Sequence, residues 1–248
     1  MGSDSDLPVV GKAIDKLGDF GVPVEVEHAF VSDTEVTCYR LDGSAYRTPG
    51  EVSVEGDWSN AAFWLCAGAM GTEPITVTGL SLSSAQGDRT VMAALSRFGA
   101  RMRRGTGSAT AQPDHLNAFT LSAQDVPDLV PILAAAASVA HGRTIIQDCR
   151  RLRLKESDRL ATTAGELTAL GAQVRVADDD LLIRGVEALS GGAVEAHNDH
   201  RIVMAMAVLL TQTGGVIQDA QVVRKSMPDF FARLEALGIT VEHTFTDT

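Results

Sequence analysis

Five cations and two carboxylates crowd into the ten residues Arg150-Arg151-Leu152-Arg153-Leu154-Lys155-Glu156-Ser157-Asp158-Arg159. Directly after them Leu160, Ala164, Leu167 and Leu170 recur at helical spacing, and Gly171 ends the run. Ser157 is placed to cap that helix. Lys155 and Glu156 then lie on the entering loop and Arg159 in the first turn. Free N–H groups, the positive end of the helix dipole and several cations would converge there, which makes an anion site. Glu156 is the odd member, because binding an anion needs no carboxylate. A carboxylate held among cations beside a bound anion points to proton transfer. A solvated basic loop ahead of a helix cap would look the same in the local sequence.

The whole chain narrows the field. It has 248 residues, 45% of them hydrophobic, and a net charge of −11. That charge argues against an extended nucleic-acid footprint, while the clustering of the bases favours small anionic ligands. Cys38, Cys66 and Cys149 are scattered, with neither metal-ligand spacing nor a disulfide framework, as in a reducing cytoplasm. We therefore expect a cytoplasmic protein without metal or cofactor. Residues 1–6 show no signal-peptide core, and the apolar runs Ala61–Met70 and Ile202–Leu210 are too short to span a bilayer. They read as buried core, so neither a membrane nor a nucleic acid is expected as a partner.

The elements that must position the cations form a repeat. Gly21, Gly99, Gly171 and Gly238 each end an amphipathic helix, about every 70 residues, and a β-prone run follows. These runs are Val24–His28, Met102–Arg104, Gln173–Val176 and Thr240–His243. Between them, Asn60–Met70, Asp128–Ala140 and Arg201–Thr213 are apolar almost all round, as buried helices are, and strands are expected at Ile75–Val77, Thr144–Gln147 and Val216–Gln218. Residues 55–248 hold three such units. Residues 1–54 hold the tail of another, with a helix near Val10–Phe20, so the chain is expected to begin inside a repeat. Charged residues mark all six helix starts: Glu55-Gly56-Asp57, Gln86-Gly87-Asp88-Arg89, Asp125 to Asp128, Lys155 to Arg159, Asn198-Asp199-His200-Arg201 and Lys225 to Asp229. Related units pack with related faces, so these starts are expected on one side. Asp57, Asp88 and Asp229 read as helix caps. Capping explains little for His200, Arg201 and Lys225, since cations oppose the dipole at a helix N-terminus.

Val54 to Asp57, Gln86-Gly87-Asp88, Lys155-Glu156-Ser157-Asp158-Arg159, Asn198-Asp199-His200-Arg201 and Lys225-Ser226-Met227-Pro228-Asp229-Phe230-Phe231 together resemble, in order, the motifs of the 5-enolpyruvylshikimate-3-phosphate (EPSP) synthase family, the 3-phosphoshikimate 1-carboxyvinyltransferases. The resemblance runs from about Pro8 to Gly238. It implies an α/β (α+β) fold, an inside-out barrel of βαβαββ repeats of the enolpyruvyl transferase type, here truncated. Residues 1–54 would end the third repeat of an N-terminal domain, and 55–248 would be the C-terminal domain. The implied reaction transfers the carboxyvinyl group of phosphoenolpyruvate to the 5-hydroxyl of shikimate 3-phosphate, releasing phosphate. By resemblance Asp128 is the base at that hydroxyl, Lys155 lies near it, and Glu156 exchanges a proton with the methylene carbon. Arg159, Arg201 and Lys225 are the phosphoenolpyruvate cations, and His200 contacts the phosphate. Upstream motifs of the family are missing, and its Ser-x-Pro-Tyr segment falls on Asp6-Leu7-Pro8-Val9, with Ser and Tyr both replaced. The chain alone is therefore expected to be inactive, with an N-terminal half as a possible partner. The alternatives are a non-catalytic anion-binding or partner-binding domain of the same fold, or UDP-N-acetylglucosamine 1-carboxyvinyltransferase.

Overall fold

The computed structural model describes residues 14–19, 22, 24–31, 34–41, 50–51 and 53–244. The Asp6–Val9 departures and the Gly21 stop lie outside them. Contacts divide the chain into two compact units, Met1–Val54 and Glu55–Thr248. In the first, residues 14–19 are helical (α1), and β1 (Val24–Val31) pairs antiparallel with β2 (Thr34–Leu41).

The second unit is built round three apolar helices: α2 (Trp58–Met70), α4 (Val130–Ser138) and α6 (His200–Leu210). They pack on one another. Every residue of α4 is buried, and its run of four alanines lets neighbouring backbones come close. A helix that is apolar all round must be enclosed, and the enclosing layer here is sheet. The first repeat supplies β3 (Ile75–Thr78), β4 (Arg101–Gly105) and β5 (Ser108–Gln112), in the order β3-β5-β4. The second supplies β6 (Thr120–Ser122), β7 (Arg143–Gln147), β8 (Gln173–Ala177) and β9 (Asp180–Arg184), in the order β6-β7-β9-β8. The third supplies the parallel pair β10 (Gly192–Glu195) and β11 (Gly215–Gln218). The second repeat reads β6-α4-β7-α5-β8-β9, a full βαβαββ unit.

Three amphipathic helices, α3 (Val91–Phe98), α5 (Arg159–Ala169) and α7 (Phe230–Ala236), cover the core further. On α3 the residues Val91, Met92, Ala94, Leu95 and Phe98 are buried, one face of a 3.6-residue period. Gly99 and Gly171 end their helices at φ +103° and +90°, and Gly238 holds the same place at +91°. This left-handed conformation is costly for any residue with a Cβ.

Several expectations need correction. Ser157 does not cap α5. Its hydroxyl is taken by Asp199 Oδ2 at 3.1 Å and Thr162 at 3.2 Å, and Asp158 accepts the Ala161 N–H instead, at 3.1 Å. Asp57 caps α2 through the Ser59 N–H at 3.0 Å. Asp88 is buried and accepts from the Ser59 hydroxyl, and Asp229 pairs with Arg233 at 2.8 Å rather than capping α7. Asp128 does not open a helix directly: a 3-10 turn, Pro127–Leu129, precedes α4, and α4 ends at Ser138 rather than Ala140. Thr240–His243 forms no strand, because no described strand lies beside it to complete its hydrogen bonds.

Candidate functional site

The six helix starts gather, tied by side-chain bonds within and between repeats. The Gln86 side chain accepts the Trp58 N–H at 2.8 Å and donates to the Gly56 carbonyl at 3.0 Å, so the start of α2 is joined to the turn ahead of α3. Ser226 reaches Asn60 at 3.0 Å, joining α2 to the turn ahead of α7. Lys225, which ends the 3-10 turn Ala220–Lys225, donates to the Asn198 carbonyl at 2.6 Å and to its side-chain oxygen at 2.7 Å, ahead of α6.

Asp128 stands at the centre. Its Oδ1 meets Lys155 Nζ at 3.0 Å and Arg159 Nη1 at 2.8 Å, and its Oδ2 meets Arg201 Nη2 at 3.3 Å. Thus the 3-10 turn before α4, the loop before α5 and the first turn of α6 converge on one carboxylate. Burial pushes its pKa up, but Arg201, Lys155 and Arg159 together outweigh burial and hold it below the usual carboxylate value.

Arg159 lies beneath this cluster, fully buried. Its Nε and Nη2 form a fork on Asp199 at 2.9 and 3.2 Å, Nη1 goes to Asp128, and Nη2 also pairs with Glu156. Asp199 is itself wholly enclosed and caps α6 through the Arg201 N–H at 3.0 Å. Its pKa is raised by burial and lowered by a larger combined pull, of which the Arg159 hydrogen bond comes first. Arg159 therefore aligns the carboxylates of three segments.

Glu156 is half-exposed and has its other oxygen 3.8 Å from His200 Nδ1. Burial, and then Arg201, lower the His200 pKa, so the ring is neutral at pH 7. His200 Nδ1 and Arg201 Nη1 are both buried without a hydrogen-bond partner. Two unpartnered polar atoms on the first turn of one helix are what a bound anion would satisfy.

The sequence motifs brought Asp128, Lys155, Glu156, Arg159, His200 and Arg201 together. Lys225 joins them through Asn198 and makes no ion pair with their carboxylates. Sequence reasoning gave no role to Asp199, or to a second clamp made by Glu166 and His197. Before α6 the chain turns through His197 and Asn198, both left-handed, at φ +50° and +55°. Such conformations are uncommon outside glycine and need external support. Glu166 supplies it: its Oε1 accepts from His197 Nε2 at 2.6 Å and its Oε2 from the Glu195 N–H at 3.0 Å. Arg159 and Glu166 are seven residues apart on α5, hence on one face, and that spacing was a signal available in the sequence. We expect Glu166→Ala to lower the unfolding free energy by about 1–3 kcal/mol, because it strands a backbone donor and frees the turn. Glu166→Gln should keep much of it. Urea titration separates the two, and an equal loss in both would mean that charge alone matters.

The fold is the α/β fold of enolpyruvyl transferases. The structure superposes on the enolpyruvyl transferase NikO from Streptomyces tendae with a TM-score of 0.71 at 23% identity, over 97% of this chain and 55% of that one. It also superposes on EPSP synthase from Acinetobacter baumannii with a TM-score of 0.71 at 25% identity, over 91% of this chain and 54% of that one. The family model for EPSP synthase (3-phosphoshikimate 1-carboxyvinyltransferase) matches residues 7–234, and the chain belongs to that family. Relatives named 3-phosphoshikimate 1-carboxyvinyltransferase include one from Clostridium kluyveri, 40% identical over 91% of this chain, and one from Clostridium novyi, 36% identical over 92%. The chain spans 51% of each, about half the length of the curated relatives it matches. No helix among the described residues is long and apolar enough to cross a membrane.

Proposed function

We propose that this chain carries the phosphoenolpyruvate-binding and proton-transfer side of a 3-phosphoshikimate 1-carboxyvinyltransferase site. The observation that carries the proposal is Asp128, held at once by Lys155 and Arg159 of its own repeat and Arg201 of the next. Residues 55–248 are then the C-terminal domain, and 1–54 the end of the third repeat of an N-terminal domain. A cytoplasmic location goes with this reading.

The transfer forms a C–O bond between the 5-hydroxyl of shikimate 3-phosphate and C2 of phosphoenolpyruvate, with a proton added at C3. Loss of phosphate and of a C3 proton then restores the double bond. Asp128 takes the hydroxyl proton, and its low pKa keeps it ionised for that task. Lys155, 3.0 Å from it, stabilises the developing oxyanion. Glu156 delivers the proton to C3 and takes one back in the elimination. Arg201 and Lys225 hold the anionic groups of phosphoenolpyruvate, His200 donates to its phosphate, and Arg159 presents the edge it shares with Glu156. All three cations on Asp128 are already partly neutralised, so an incoming anion must draw them off that carboxylate. That requirement also favours a second reading, an anion-binding domain that binds without turnover.

The test is phosphate release from shikimate 3-phosphate plus phosphoenolpyruvate. It is run on the chain alone and on the chain mixed with the separately produced N-terminal half of a relative. We expect phosphoenolpyruvate binding by the chain, release only in the mixture, and loss of release with Glu156→Gln. Binding without release in either sample would leave the second reading standing, and absence of binding would remove both.

Binding should also depend on pH. His200 has a depressed pKa without ligand, and an anion beside it favours the protonated ring. Binding therefore takes up a proton, and affinity should rise as pH falls from about 7.5 to about 6. Calorimetry in buffers of different ionisation enthalpy measures the uptake directly, and His200→Gln should abolish it.

A further inference from the structure

The outer face of the second sheet carries three arginines, and the acid on that face, Asp180, pairs with none of them. Arg143 on β7, Arg184 on β9 and Gln173 on β8 stand directly opposite one another across the strands. Arg175 lies two residues along β8 on the same face, opposite Leu182 and so diagonal to Arg184. The alternate positions Thr144, Ile146, Leu181 and Ile183 are buried inward, which fixes the arginines as outward and exposed. Directly opposed residues on one face have Cβ atoms about 5 Å apart, and diagonal ones about 7–8 Å. These side chains border one groove of about 460 Å³, with Leu182 among its lining.

None of the three makes a side-chain hydrogen bond or ion pair among the described residues. Acids are close enough in sequence to have done so. Glu187, three residues past Arg184, pairs with none of them, and Asp180, on the same face of β9 and diagonal to Arg175, instead accepts the Asp148 N–H at 3.1 Å. Like charges directly opposed across a sheet are destabilising. In a chain with 32 acidic against 21 basic residues, an unrelieved cationic cluster is out of keeping with its surroundings. An anion bridging the guanidinium groups would convert that repulsion into charge-assisted, forked hydrogen bonds, which arginine makes with phosphate and carboxylate better than lysine does. The groove is shallow but of small-ligand volume, which favours a compact molecule over a protein surface.

We propose that this groove binds a compact oligoanion carrying two or more phosphate or carboxylate groups. It is separate from the helix-start cluster. Arg143 begins β7, whereas the 3-10 turn Cys149–Leu154 that delivers Lys155 follows the other end of that strand. Likewise Arg175 follows the last turn of α5, and Arg159 opens the first, about 16 Å away along an eleven-residue helix. The proposal does not rest on the carboxyvinyl transfer reading.

The experiment is isothermal titration of the chain as it stands, at low ionic strength, with tripolyphosphate and, in a parallel arm, tricarballylate. The two arms distinguish phosphate from carboxylate, and saturable binding of either supports the proposal. Arg184→Gln should weaken binding about 10-fold, about 1.4 kcal/mol. The triple variant Arg143→Gln, Arg175→Gln, Arg184→Gln should abolish it, while Arg201→Gln leaves it intact. Without any anion, the triple variant should also unfold at a higher urea concentration than the parent, since it relieves the repulsion. Binding lost in Arg201→Gln but kept in the triple variant would assign the anion to the helix starts and overturn the proposal. No saturation by 1 mM of either anion, roughly the −4 kcal/mol level, would overturn it too, as would tighter binding of hexaglutamate than of both small anions.

Discussion

Arg159→Leu should cost about 3–5 kcal/mol of stability, the range for breaking one side of a buried ion pair. The side chain is fully buried, and its loss leaves Asp199, equally enclosed, with only the Arg201 N–H and the Ser157 hydroxyl. Arg159→Lys should recover little of the loss, because a point charge cannot reproduce the fork on Asp199 together with the bond to Asp128. The double change Arg159→Leu, Asp199→Leu should be milder than the single one, since it removes both charges from the interior. The pH dependence has a definite sign. Asp128 and Asp199 have depressed folded pKa values. Their contribution is fully present above the unfolded carboxylate value of about 4 and is lost as pH falls through the lower folded values. The deficit of Arg159→Leu should therefore be largest near neutrality and shrink below about pH 4. Urea unfolding of parent and variants at pH 7 and pH 3.5 measures all of this. A single-variant loss under about 1 kcal/mol at pH 7 would show that the interior tolerates the uncovered carboxylate.

The second large effect is on turnover, in whichever form of the system releases phosphate. Glu156→Gln should reduce the rate about 10²–10⁴-fold, the usual contribution of a positioned acid or base. Phosphoenolpyruvate affinity should change far less, because Glu156 does not itself hold the anion. Asp128→Asn should show a comparable loss of rate but a different binding signature. It frees Lys155, Arg159 and Arg201 from their shared carboxylate, so phosphoenolpyruvate should bind more tightly while chemistry fails. Two carboxylates with unequal effects on binding and the same effect on rate would be hard to reconcile with a passive anion site. Unchanged phosphate release in both variants would remove the proton-transfer roles.

Much of the frame was legible along the chain. The glycine stops at Gly99, Gly171 and Gly238 and the apolar runs that became α2, α4 and α6 follow from rules acting over four residues or fewer, namely left-handed caps and helical period. The ordering of the charged motifs at helix starts was legible for the same reason. Where local rules competed, the reading slipped. Ser157 and Asp158 are both good caps, and the choice fell to Asp158 because Asp199, 42 residues away, claimed the Ser157 hydroxyl. Thr240–His243 has strand composition, but a strand needs a neighbour, and composition cannot supply one.

The sequence by itself determined which residue types stand at each helix start and that the starts share a face, because repeated units pack in repeated ways. Only the tertiary structure decided who holds whom. Arg159 reads in the sequence as a cation for a ligand. In the fold it is enclosed and occupied by Asp199, Asp128 and Glu156, two of them 40 and 31 residues distant. Arg143, Arg175 and Arg184 have nothing to connect them along the chain until β7, β8 and β9 are set in register. The physical reason is common to both. A charge gains or loses by what lies within a few ångströms, and across separate elements that distance is fixed by packing rather than by position in the chain.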